Sequence, residues 1–224
     1  MTLDDVKKTI GPLMLIFWGT LICLVDFYFT WTQNGEGFRF DVINDAVGTI
    51  MIAVGVFKLG AIEVHDRYAR ALAFVKTMAV VAIALAVVNH FIFRQPAALS
   101  VLFLVLGMLQ LVAIVVFCVA MRWFCDEAQL ERSSRSWRTT TILFVVIYLI
   151  PLGVFYLASL VAILTGTSFN IDLGPVGLLL LPIFFIPLVH FLVSSRRMMR
   201  DAEASRPGPG DDASAGTLGD LGPA

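Results

Sequence analysis

Residues 97–121 read AALSVLFLVLGMLQLVAIVVFCVAM, 25 positions without one charged side chain. A bilayer core of about 30 Å takes roughly 20 residues of α-helix, so an apolar run of this length reads as a membrane span. Five further segments meet the same requirement, at 10–31, 42–62, 71–93, 141–164 and 173–193. The connections between them hold nearly all the charge. The first carries the turn signal Gln33-Asn34-Gly35-Glu36-Gly37, the third is the brief Arg94-Gln95-Pro96, and the fifth is Thr165-Gly166-Thr167-Ser168. The pattern predicts an all-α membrane protein, a bundle of six transmembrane helices over 1–200.

Composition points the same way. Of the 224 residues, 58% are hydrophobic and 15% charged, whereas an ordinary soluble domain is about 45–50% apolar and about 25% charged. The lipid bilayer is the partner that accommodates the excess. A net charge of −1 argues against a nucleic-acid partner, which selects a basic face. The odd set Cys23, Cys118 and Cys125 lies in or beside apolar runs and reads as small buried hydrophobes. Lys7 and Lys8 precede an apolar stretch as in a secretion signal. That stretch is too long for one and has no small-x-small cleavage site, so a retained helix is expected. Residues 201–224 are rich in Gly, Pro, Ala, Ser and Asp and are expected to form a disordered cytoplasmic tail.

Orientation follows from the cations. Thirteen of the 16 Lys and Arg fall on the N-terminus, the second and fourth connections and the C-terminus; Arg39 and Arg94 fall on the other side. The positive-inside rule then places both ends in the cytoplasm of the cell (inner) membrane. Lys76 lies inside helix three, about 9 Å beyond Arg70, a depth from which its ammonium can snorkel back. In the fourth connection, Glu131 to Arg138 is basic, with Trp137 as an expected interfacial anchor facing anionic headgroups.

No familiar catalytic pattern is present: there is no phosphate-binding glycine loop, no His-Glu-x-x-His and no Cys-x-x-Cys. His65, His90 and His190 are scattered over different depths, so no metal site and no cofactor are expected, and nothing in the chain asks for an enzyme. Polar groups at membrane depth are expensive, which makes Asp26, Asp41, Asp45, Asn89 and His90 candidates for an ion or proton site near the outer side. Asp41, Asp45, Gly48 and Gly55 recur at i, i+4, i+7 and i+14 and share one face of helix two. The two glycines would let a neighbouring helix approach closely. Pro151, Pro182 and Pro187 each remove a backbone donor, which frees the carbonyls of Ile147, Leu178 and Ile183 and kinks helices five and six.

The stretch Gly37-Phe38-Arg39-Phe40-Asp41-Val42-Ile43-Asn44-Asp45-Ala46-Val47-Gly48, running on to Gly55-Val56-Phe57-Lys58-Leu59, resembles a signature of uncharacterised bacterial multi-pass membrane proteins. In those the run is similar to Phe-Asp, two aliphatics, Pro-Asp, two apolar residues and Gly; here Asn44 stands in place of the Pro. The resemblance covers under a quarter of the chain. It implies a bacterial membrane protein and supplies no activity.

Two functions are compatible with these residues. The first is a non-enzymatic assembly or interaction component, joining a homo-oligomer or another membrane protein through the glycine face of helix two and the basic cytoplasmic segments. The second is a small transporter or ion-conducting protein using the outer acidic cluster. An intramembrane enzyme acting on lipid has only scattered polar residues behind it.

Overall fold

The structure, a computed structural model, describes residues 3–24, 28–33, 36–41, 45–91, 97–167 and 174–204, with side chains described over 4–23, 46–88, 98–167 and 182–204. The described elements are α1 (Leu3–Leu24), β1 (Tyr28–Gln33), β2 (Glu36–Asp41), α2 (Asp45–Leu59), α3 (Asp66–Phe91), α4 (Ala97–Glu127), α5 (Glu131–Phe144), α6 (Ile150–Thr165) and α7 (Gly174–Ala204). A π-turn, Val145–Leu149, joins α5 to α6 without a break, so the helices form six rods. Four are long and apolar enough to cross a membrane, over Asp4–Cys23, Asp66–Val88, Ala98–Glu127 and Glu131–Thr165; α2 is a shorter apolar helix. Only 11% to 33% of the residues in the apolar windows of these four spans are buried inside the chain, so most of their apolar side chains point outward.

Three boundaries differ from the sequence reading. Helix one ends at Leu24, well before Trp31, because the next residues pair as an antiparallel hairpin from Tyr28↔Asp41 to Gln33↔Glu36. The strand segment Tyr28-Phe29-Thr30-Trp31-Thr32 is aromatic and β-branched, a composition that favours extended backbone. Its connection, Asn34-Gly35, is a preferred hairpin dipeptide. Asp41 therefore ends a strand and does not open helix two. The fourth connection shrinks to residues 128–130, since Glu131 to Arg138 is helical and Trp137 is fully buried instead of lying at an interface. Finally, α7 extends to Ala204, taking in the first residues assigned to the tail; residues 205–224 and the expectation of disorder there lie outside the described residues.

Helix ends explain much of the packing. α4 closes with Gln129 at φ +56°, while the Leu130 N–H donates to the Cys125 carbonyl at 2.8 Å. This is the Schellman arrangement, with glutamine where glycine is usual. At the C-terminus of α2, the Tyr68 hydroxyl donates to the Leu59 carbonyl and the Lys76 ammonium to the Gly60 carbonyl, both at 3.1 Å. Lys76 thus reaches back along α3 and neutralises the negative end of a helix dipole. His65 begins α3 by accepting the Tyr68 N–H on Nδ1 at 3.0 Å.

α1 and α2 run antiparallel, pairing Gly19 with Gly48 and Pro12 with Gly55. His65 meets Trp123 and Tyr68 meets Phe124, which sets the start of α3 beside the end of α4. Ser133 bonds to Asp201, which sets the start of α5 beside the end of α7. These contacts gather the N-terminal end of α1 and the C-terminal end of α7 at one end of the bundle, along with Lys58, Arg67, Arg122, Arg135 and Arg200.

Candidate functional site

The candidate site is a half-open cavity of about 270 Å³ between the helices of the bundle. Each of four helices lines it with one helical stripe. α1 contributes Ile16, Phe17, Thr20 and Cys23; α2 contributes Thr49, Ile52 and Val56; α3 contributes Val75, Met78, Ala79 and Ala82; α4 contributes Gln110, Ala113, Ile114, Phe117 and Cys118. Phe144, Leu188 and Phe191 complete the wall. Ala79, Ala82 and Ala113 are the smallest side chains of the lining. Phe117 and Phe191 rest on Trp137, with ring centroids 6.3 and 5.3 Å from the indole.

The lining is almost wholly apolar and carries no charged residue. Thr20 donates its hydroxyl to the Ile16 carbonyl at 2.7 Å and Thr49 to the Ala46 carbonyl at 3.0 Å, so both are bound within their own helices. Gln110 is different. Its amide, near the middle of the 31-residue α4, has no hydrogen-bond partner among the described residues. Gln110 is half-buried; the indole N–H of Trp137 is fully buried and also has no partner among the described residues.

Both irregular helices border this cavity. Phe144 immediately precedes the π-turn, and Leu188 immediately follows Pro187. The π-turn falls where Pro151 removes the donor that the Ile147 carbonyl would have met. Opposite it, the Tyr148 ring stacks on Phe184 at 5.6 Å and its hydroxyl donates to the Phe184 carbonyl. That carbonyl is next to Ile183, whose own donor Pro187 eliminates. Pro187 is buried while Pro182 is exposed.

A second polar cluster joins α5 to α7. Ser136 and Ser194 share a hydrogen bond at 2.8 Å, Thr140 and Ser194 one at 2.9 Å, and Thr140 meets His190 Nδ1 at 2.8 Å. Further along, the Asp201 carboxylate accepts both the N–H and the hydroxyl of Ser133, at 2.9 and 2.8 Å. Because Thr140 and Ser194 are fully buried, no substrate reaches their hydroxyls, and the seam fastens two helices.

The residues singled out in the sequence fall as follows. Asp26 lies outside the described residues. Asp45 is the first residue of α2, Asn89 and His90 lie at the end of α3, and Asp41 ends β2; the side chains of all four lie outside the described residues. Gly48 and Gly55 both face α1. A Cβ at Gly48 would stand 2.7 Å from the Gly19 carbonyl oxygen, and one at Gly55 would stand 2.7 Å from the Pro12 carbonyl oxygen. The glycine face is thus filled from within the chain, and an assembly surface has to be sought elsewhere. Gln110 escaped the sequence reading; its one signal was an amide in an otherwise apolar run. No group of three or more His, Cys, Asp or Glu able to hold a metal occurs among the described residues. No protein-family model matches the chain, and no curated protein or solved structure is significantly similar to it.

Proposed function

We propose that this chain is a multi-pass integral membrane protein, both ends cytoplasmic, that acts without chemistry of its own by binding an apolar molecule inside its bundle. The observation that carries this is the apolar cavity between the helices of a bundle whose long spans turn most of their side chains outward. A water-facing protein would leave Ile150, Val154, Leu157 and Leu164 of α6, exposed by 54% to 72%, in contact with solvent at considerable cost. Lipid removes that cost. The resemblance of residues 37–59 to bacterial multi-pass membrane proteins supports the same reading, as does the gathering of cations at one end. The test is alkaline carbonate extraction of bacterial membranes, combined with reporter fusions at each end. The chain is expected to stay with the lipid and both reporters to report cytoplasm; release into the supernatant, or reporters on opposite sides, would overturn the reading.

The transport reading is favoured by one observation, the π-turn and the Pro187 position, which border the cavity at Phe144 and Leu188. Irregular helix at such a site frees backbone carbonyls that protein or water must satisfy. It requires solute flux in proteoliposomes that Tyr148→Phe or Pro187→Ala alters.

A further inference from the structure

We infer that the half-open cavity takes an uncharged lipid-type molecule whose one polar oxygen is hydrogen-bonded by the Gln110 amide. This rests on the binding reading above and names the ligand class. Charge is excluded first. No lining residue is charged, and an ion without a counter-ion is strongly disfavoured in an apolar interior. Size comes next: an apolar cavity of about 150 Å³ holds a benzene ring, so 270 Å³ suits a chain of about ten carbons or a two-ring body.

Polarity is decided by elimination. The hydroxyls of Thr20 and Thr49 are already bonded to backbone carbonyls. Gln110 alone among the lining amides and hydroxyls has no partner among the described residues, and it has both a donor and an acceptor to offer. An alcohol or carbonyl oxygen answers either. Orientation follows, because Gln110 lies seven residues, about 10 Å along the helix axis, before Phe117. A ligand with its oxygen at Gln110 therefore runs its apolar end onto Phe117 and Phe191, against which Trp137 packs.

Trp137 makes this measurable. It is fully buried, so bromine dissolved in the surrounding lipid does not touch it and quenches without saturation, whereas bromine at the aromatic end of the cavity lies one ring away, beyond Phe117 and Phe191. The full chain, with Trp18, Trp31 and Trp123 replaced by Phe, is placed in phosphatidylcholine vesicles and titrated with ω-bromodecanol, bromodecane or ω-bromodecanoate. Bromodecanol is expected to quench Trp137 saturably, with relief by unbrominated decanol. Bromodecane should bind on the order of tenfold more weakly, and the carboxylate should give no saturable quenching. Gln110→Leu, an apolar replacement of similar size, should bring the alcohol down to the alkane; Ala113→Leu, which fills the cavity, should abolish saturable quenching by both the alcohol and the alkane. Equal binding of alcohol and alkane by the parent chain, or an alcohol preference that survives Gln110→Leu, overturns the role of Gln110. Saturable binding of the carboxylate overturns the uncharged class. Absence of any saturable quenching in a chain that resists carbonate extraction overturns the ligand site while leaving membrane insertion intact, and a chain that carbonate releases overturns the membrane reading instead.

Discussion

Gln129 has the only positive φ of a non-glycine residue among those described, and it terminates α4. A side chain in that region costs on the order of 1 kcal/mol, so Gln129→Gly is expected to stabilise the protein by roughly 0.5–1 kcal/mol, read as a shift of the unfolding midpoint in mixed detergent micelles. The opposite sign is expected at Gly48. A methyl group there would lie 2.5 Å from the Cys23 sulfur and 2.7 Å from a backbone oxygen, and because backbone cannot yield cheaply, Gly48→Ala should cost about 1–3 kcal/mol in the same titration. At Lys76, removal of the ammonium leaves the Gly60 carbonyl without its charged donor, and Lys76→Met should cost about 1 kcal/mol. Sequence made part of this visible. Gly48 and Gly55 stood out by spacing, and Lys76 by its reach back toward the cationic end. Gly19 did not, because what singles it out is the helix opposite, which spacing along one strand of text does not record.

Among the elements, α5 shows most clearly what the sequence concealed. Ser133, Ser136 and Thr140 looked like loop residues, yet they form the buried face of a helix because α7 supplies Ser194, His190 and Asp201 as partners. Polar residues of this kind compete with helix backbone unless such partners exist, and partners distant in sequence are invisible to periodicity. The first turn of α5 has no side-chain cap of its own at Leu130; the carboxylate of Asp201 fulfils that office from another helix, at the end where the dipole favours a negative charge. Asp201→Ala should therefore cost about 1–2 kcal/mol and raise hydrogen exchange at the start of α5 with little change in α2. An equal rise in both helices would count against a local cap. The hairpin was half legible. The turn signal includes Gln33 and Glu36, which pair at the end of the hairpin, while Asn34 and Gly35 lie outside the described residues; the aromatic residues before them counted as helix because apolar content alone does not separate strand from span. Pro151 lies two residues after the π-turn, an irregularity that the sequence did not announce.

For the molecule as a whole, the four long apolar helices were legible because apolar runs of that length admit few alternatives. The cavity was not, since its lining comes from helices that meet only after folding. Filling it with Ala79→Leu is expected to leave membrane insertion unchanged and to raise the midpoint of detergent unfolding, as cavity filling commonly does by about 0.5–2 kcal/mol; a fall in midpoint would mean that the space is too rigid to accept three carbons. The contact between Ser133 and Asp201 also sets a timetable. Emerging from the ribosome, α5 precedes its cap by 68 residues of sequence, and at about 5–20 residues per second of synthesis its first turn waits several seconds. Until the closing helix arrives, that turn lacks the carboxylate that accepts from Ser133 in the finished fold.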